Sequence, residues 1–298
     1  MKHWAMAVGT ALAVSTAAVA TPALASSRTA PVTGAVYFGY QGSKIEVLTH
    51  RGGWTSLAVG GGAFSGQFSA APDGKRVAWI DEKSRLHVKS ASGDKVIARD
   101  AAYGSPCLTP AWTADGRRIA YPKKGTATAA TVIVVGADGR NVVDSGKTVG
   151  ICHLTWSADG RTLAGYAGDT SGVHLLDTRS RVSTKALGIK LANHVESLSP
   201  DSRRVVVNAI SANDPAGDGS WSTSFTPSIY DTKTGKKIAI PVGGTLLGAR
   251  YLRDGRLAVR VKGRTANTLV ILNASGKELQ RVAEPTKARK LGLLGVLG

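Results

Sequence analysis

Trp112-Thr-Ala-Asp115-Gly-Arg-Arg-Ile-Ala-Tyr121 is one of five near-copies that decide the fold. The others are Phe68-Ser-Ala-Ala-Pro-Asp73-Gly-Lys-Arg-Val-Ala-Trp79, Trp156-Ser-Ala-Asp159-Gly-Arg-Thr-Leu-Ala-Gly165, Leu198-Ser-Pro-Asp201-Ser-Arg-Arg-Val-Val-Val207 and Tyr251-Leu-Arg-Asp254-Gly-Arg-Leu-Ala-Val259. Their aspartates are 42, 44, 42 and 53 residues apart. Each Asp-Gly, once Asp-Ser, stands between two apolar runs. Gly supplies positive φ without steric cost and Asp bonds the turn backbone, so each copy reads as a tight strand–turn–strand. A second turn follows some 20 residues later in each repeat, as at Asp138-Gly139 and Ser275-Gly276. A strand such as Thr131-Val-Ile-Val-Val135 or Thr268-Leu-Val-Ile-Leu272 precedes it. Four short strands per repeat at this period mark the blades of a propeller.

The pattern Trp/Phe-Ser-x-Asp-Gly-Lys/Arg-x-Ile/Val-Ala, followed by an Ile-x-Val strand and a second turn, resembles the repeat of TolB-like, WD-repeat-like β-propellers. The resemblance runs across residues 35–298, with Arg253 departing from the usual Ser or Pro. It implies an all-β fold and a protein partner in the cell envelope. The separate domain that this family often carries ahead of its propeller has no counterpart before residue 35. Fold does not set function, because propellers host many unrelated roles.

Residues 35–298 divide into six blades of 44 residues. Residues 35–58 read as three strands lacking an inner one, and Leu291–Leu297 is a lone apolar strand at the other end. The expectation is a six-bladed ring of four-stranded antiparallel blades, closed by the C-terminal strand. The competing reading leaves that tail frayed.

Ahead of the repeats, Lys2 and His3 precede an uncharged apolar run to about Ala20, then Pro22 and Ala23-Leu24-Ala25. This is the layout of a secretory signal peptide over residues 1–25, cut after Ala25. Residues 26–34 read as a flexible lead-in. The expected location is therefore extracytoplasmic, and no later segment is long enough to span a bilayer.

The composition needs explaining in that setting. The chain has 38 Lys+Arg against 20 Asp+Glu, a net charge of +18, with 43% hydrophobic residues and two Cys. The apolar content excludes a disordered chain, and two Cys exclude a disulfide scaffold. Scarce Glu and plentiful Gly argue against a helical protein. Export and the lack of a recognition motif exclude nucleic acid as the expected partner.

In such blades the Asp-Gly turns share one face and the variable connections share the other, where function is better placed. Gln67, Cys107, Cys152, His153, His194, Glu196 and Arg250 stand just upstream of the motif aspartates. They are expected to ring the channel mouth on the loop-bearing face. Over that face the fourth repeat inserts Ser211–Ser224 with Trp221. This is either a recognition loop or an insertion packing Trp221 on a neighbouring blade. Cys107 and Cys152 hold equivalent places in adjacent repeats and suit a disulfide in an oxidising compartment. A zinc site with His153 and His194, or two free thiols, are the alternatives.

Basic residues on the tight-turn face, including Lys75, Arg76, Arg118 and Arg204, sit beside motif aspartates. Those on the loop-bearing face, Lys44, Lys83, Arg85, Lys123, Lys124, Lys262 and Arg264, have fewer acids nearby. They suit an anionic envelope polymer or protein. No nucleophile elbow, HExxH, CxxC, Walker loop or dinucleotide fingerprint occurs. The expectation is thus a monomeric, non-catalytic binding module without cofactor or metal. The alternative is a propeller lyase or lactonase-like hydrolase with its site at the channel mouth.

Overall fold

The computed structural model describes Met1 and residues 30–60, 66–125, 129–217 and 219–298. Apart from Met1, the leader expected over residues 1–25 lies outside the described residues. Residues 31–298 form one compact unit.

Six four-stranded antiparallel sheets make up the ring. Blade 1 takes its inner strand, Gly292–Leu297, from the C-terminus and its other three, Gly34–Gln41, Lys44–His50 and Trp54–Gly60, from the start of the ring. Leu293 pairs with Tyr37 and Leu297 with Gly34, so the closing strand pairs from end to end, with one bulge between Val36 and Tyr37. The remaining inner strands are Phe68–Ala70, Ala111–Trp112, Gly150–Trp156, Ala192–Leu198 and Leu246–Tyr251, in blades 2 to 6. The expected architecture and its closure are thus as observed. Residues 26–29 of the expected lead-in lie outside the described residues, and its end is held to the ring. Val32 is buried, its backbone N and O are both held by the Gln280 amide (2.8 and 2.9 Å), and Thr33 N donates to Leu297 O.

The five motif aspartates do what their spacing implies. Each Oδ1 accepts the backbone N–H two residues on: Lys75, Arg117, Arg161, Arg203 and Arg256, at 2.9 to 3.1 Å. In blades 3, 4 and 5 the hydroxyls of Thr113, Ser157 and Ser199 donate to the same carboxylates at 2.6 Å. These are turn-building carboxylates with their lone pairs engaged.

Between blades the repeat supplies a second device. Trp112 Nε1 donates to Ser69 O of blade 2, and Trp156 Nε1 to Ala111 O of blade 3. Over these rings lie guanidinium groups of the preceding blade, Arg76 at 4.8 Å from Trp112 and Arg118 at 5.7 Å from Trp156. Arg204 reaches the Tyr251 phenol of the next blade by a side-chain hydrogen bond instead. Part of the basic excess therefore staples blade to blade by cation–π contact.

Arg260 fixes the closure. It is 1% exposed and its Nε donates to Glu284 Oε2 at 2.8 Å. Its Nη1 and Nη2 donate to Leu291 O (2.6 Å) and Ala288 O (2.8 Å), at either end of the chain's entry into the closing strand. A buried cation with every arm engaged holds the last turn, Thr286–Lys290, against blade 6.

Candidate functional site

The channel mouth on the loop-bearing face is occupied by the chain itself. Inner strands of blades 4 and 5 carry β-bulges, between Cys152 and Thr155 and between Ala192 and His194. A bulge re-aims a side chain, and here it turns two imidazoles towards one another. His153 stands at φ +48°, with its N–H donating to Cys107 O at 2.8 Å.

A continuous hydrogen-bonded line results. His153 Nε2 donates to Gly219 O at 2.9 Å, since a carbonyl can only accept. Burial holds His153 neutral, its pKa well below the ordinary imidazole value, with neighbouring His194 adding to the effect. Its Nδ1 therefore accepts from His194 Nδ1 at 2.6 Å. His194 Nε2 lies 2.8 Å from Glu196 Oε2. Arg250 Nη2 completes the line on Glu196 Oε1 at 2.9 Å.

Trp221 lies on top. Its ring stacks on His153 at 4.6 Å and 15°, and meets His194 edge-on at 5.0 Å. Phe225 packs on the other side of His194, at 4.7 Å. Trp221 is 7% exposed, and His153 is fully buried. The insertion reaches every blade. Gly219 abuts Cys107 on the way into blade 3, Tyr40 of blade 1 donates to Trp221 O, and Phe68 of blade 2 meets the indole. Arg260 of blade 6 reaches Thr223 O at 3.5 Å.

The expected residues are thus brought together, but as packing rather than as an open mouth. His153, His194, Glu196 and Trp221 form one buried cluster, with Arg250 part-exposed at its edge. Of the two readings of the insertion, the structure shows Trp221 packed, its ring covering the two imidazoles. Gln67 stands apart. Its amide donates to Ala102 O and Leu108 O and accepts from Gly104 N, tying down the connection into blade 3. Cys107 and Cys152 are joined in a disulfide, which sets aside the thiol and zinc readings. Among the described residues no group of three or more His, Cys, Asp or Glu is arranged to hold a metal ion.

The basic loop-face residues separate into two kinds. Arg85 is held by Asp81 at 2.6 Å, and Lys123 lies 3.6 Å from Asp100. Lys44, Lys83, Lys124, Lys262 and Arg264 are exposed. Sequence reading passed over Lys287, Arg289 and Lys290, exposed on the Thr286–Lys290 turn that connects blade 6 to the closing strand. Their signal was the basic run Lys287-Ala-Arg289-Lys290 after Pro285. On the opposite face a groove of about 630 Å³ runs between blades 4 and 5, lined by Lys185 and Lys233 and by Arg161 and Arg203, the two arginines paired with Asp177 and Asp231.

No helix among the described residues is long and apolar enough to cross a membrane. No family model matches the chain, and no curated protein does. Solved structures do. TolB from Acinetobacter baumannii superposes with a TM-score of 0.53 at 11% identity, over 89% of this chain and 65% of that one. This chain therefore spans somewhat under two thirds of that protein's length. A chain of a nidogen/laminin complex superposes with a TM-score of 0.50 at 13% identity, over 89% of this chain and 97% of that one. The fold is that of a TolB-like β-propeller, shared with proteins only 11% and 13% identical to this one.

Proposed function

We propose that this protein is an exported, non-catalytic binding module that engages a protein of the cell envelope through the rim of its loop-bearing face. One observation carries the reading: the channel mouth, where a propeller could build a reaction site, is filled by Trp221 and sealed over His153 and His194. What this face offers a partner is its rim of loops. The Cys107–Cys152 disulfide suits an oxidising compartment, and the residue 1–25 pattern suits export. One of the similar folds comes from a structure of a protein–protein complex.

Site-specific photo-crosslinkers at Lys83 and Lys124, with Lys75 and Arg117 as tight-turn-face controls, test this on isolated envelopes. The expected result is one crosslinked envelope protein from the loop-face positions alone. Equal labelling from both faces, or none, sinks the reading. The line from Arg250 to His153 favours a second reading, an enzyme whose Trp221 cover opens. Turnover of a glycan or lactone by purified protein, lost in His194→Ala, would establish it.

A further inference from the structure

Charge on the loop-bearing face is not evenly compensated. Around blades 2 and 3, Asp81, Glu82 and Asp100 interleave with Lys83, Arg85 and Lys123. Blade 4 carries Asp169 and the insertion carries Asp214. The seam where the ring closes is different. The blade 6 loop brings Lys262 and Arg264, and the turn into the closing strand brings Lys287, Arg289 and Lys290, all exposed. The acid in this stretch, Glu284, is buried and spent on Arg260. None of the five cations has a carboxylate partner among the described salt bridges.

The two segments form one platform. Asn267 Nδ2 donates to Arg289 O at 3.1 Å, while its Oδ1 accepts from Gly263 N at 3.4 Å. Arg260 holds the carbonyls of Ala288 and Leu291 from beneath. Lys287 Nζ is parked 5.1 Å over the Trp54 ring. Buried side chains thus hold the backbone that displays the charges, which lowers the ordering cost of binding. The two segments carry five cations and no carboxylate pairs with any of them among the described salt bridges, so mutual repulsion is left to be relieved by an anion.

We infer that this seam is a binding site for a linear, phosphate-bearing polyanion that is not a nucleic acid. A polymer satisfies several spaced cations at once, and release of its counterions drives binding. Lipid is disfavoured because no large exposed hydrophobic residue lies in either segment to enter a bilayer. Single-stranded nucleic acid is disfavoured because Lys287 covers the nearby aromatic face, leaving no stacking platform. The site shares its face with the reading above but not its partner, and purified components test it alone.

Long-chain inorganic polyphosphate is the probe, titrated against the full purified chain at several salt concentrations. Arg264→Gln/Arg289→Gln/Lys290→Gln should weaken binding about 10-fold to 100-fold and lower the salt slope by about 2, at roughly 0.7 per lost contact. The charge-matched control Lys83→Gln/Lys123→Gln/Lys124→Gln should change affinity less than about threefold, since it touches no proposed contact. Equal losses in the two variants would reduce the effect to net charge and overturn the site. So would an absence of polyphosphate binding at low salt. Duplex DNA and phosphatidylglycerol-containing vesicles form two further arms. Either one bound as tightly as polyphosphate, with the same dependence on the triple variant, overturns the assignment of partner class.

Discussion

His153 sits where an unassisted L-residue rarely does, at φ +48°, and it is neutral because it is buried. The burial makes it a pH-sensitive position. Its folded pKa is depressed while the unfolded chain titrates near 6.5, so the unfolded state takes up the proton first. The associated stability is complete above about pH 6.5 and is lost as pH falls towards the folded value. Protonation also removes the acceptor that His194 Nδ1 needs, setting two donors 2.6 Å apart. Melting curves between pH 7.5 and 5 should show the wild type losing several degrees, at roughly 2–4 °C per kcal/mol for a chain this size. His153→Asn, which tolerates positive φ, should flatten that dependence. A profile unchanged by the substitution would place the acid sensitivity elsewhere. Arg260 is a second buried position on which stability turns. Arg260→Met leaves Glu284 buried without its partner and should cost about 3–5 kcal/mol in denaturant unfolding.

At the scale of elements, the repeat carries a rule that links one blade to the next. The residue three places after the motif aspartate is Arg in blades 2, 3 and 5, and each lies against the aromatic of the following blade: Trp112, Trp156 or Tyr251. In blade 4 that position is Thr162, and the following blade offers Leu198 instead of an aromatic. Cation and ring are present or absent together. A double-mutant cycle on Arg118→Gln and Trp156→Leu should return a coupling of about 0.5–1 kcal/mol, against none for Arg161 with Leu198. The strand–turn–strand units were legible because Asp, Gly and the flanking apolar residues act within six or seven positions of each other. The closing strand was legible by subtraction, from three strands without a fourth and a fourth without three. Removing residues 291–298 should therefore lower the melting temperature of the whole ring by more than 10 °C, because blade 1 loses its inner strand and Arg260 loses a carbonyl partner. The site was less legible. That His153 and His194 lie near the channel follows from their place in the repeat. That Trp221 stacks on one of them depends on a path of 68 residues with no local signal.

For the whole molecule, the charge of +18 resolves into parts with different causes. Some cations bridge blades by stacking on aromatics, some pair with turn carboxylates, and five collect at the closing seam. Composition shows the sum, while only the folded arrangement separates the parts. The insertion has a further effect on the ring as a mechanical object. Blades in a propeller normally feel only their two neighbours, so stability is passed round as along a chain of beads. Gly219, Trp221, Thr223 and Phe225 touch blades 1, 2, 4 and 6, the approach to blade 3, and their own blade 5. They convert a rim into a wheel with a hub, in which opposite blades are connected by spokes. Calorimetry should therefore show one sharp transition for the intact chain. Replacing residues 212–224 with a short Gly-Ser linker should broaden it or split it, as distant blades become free to melt out of step.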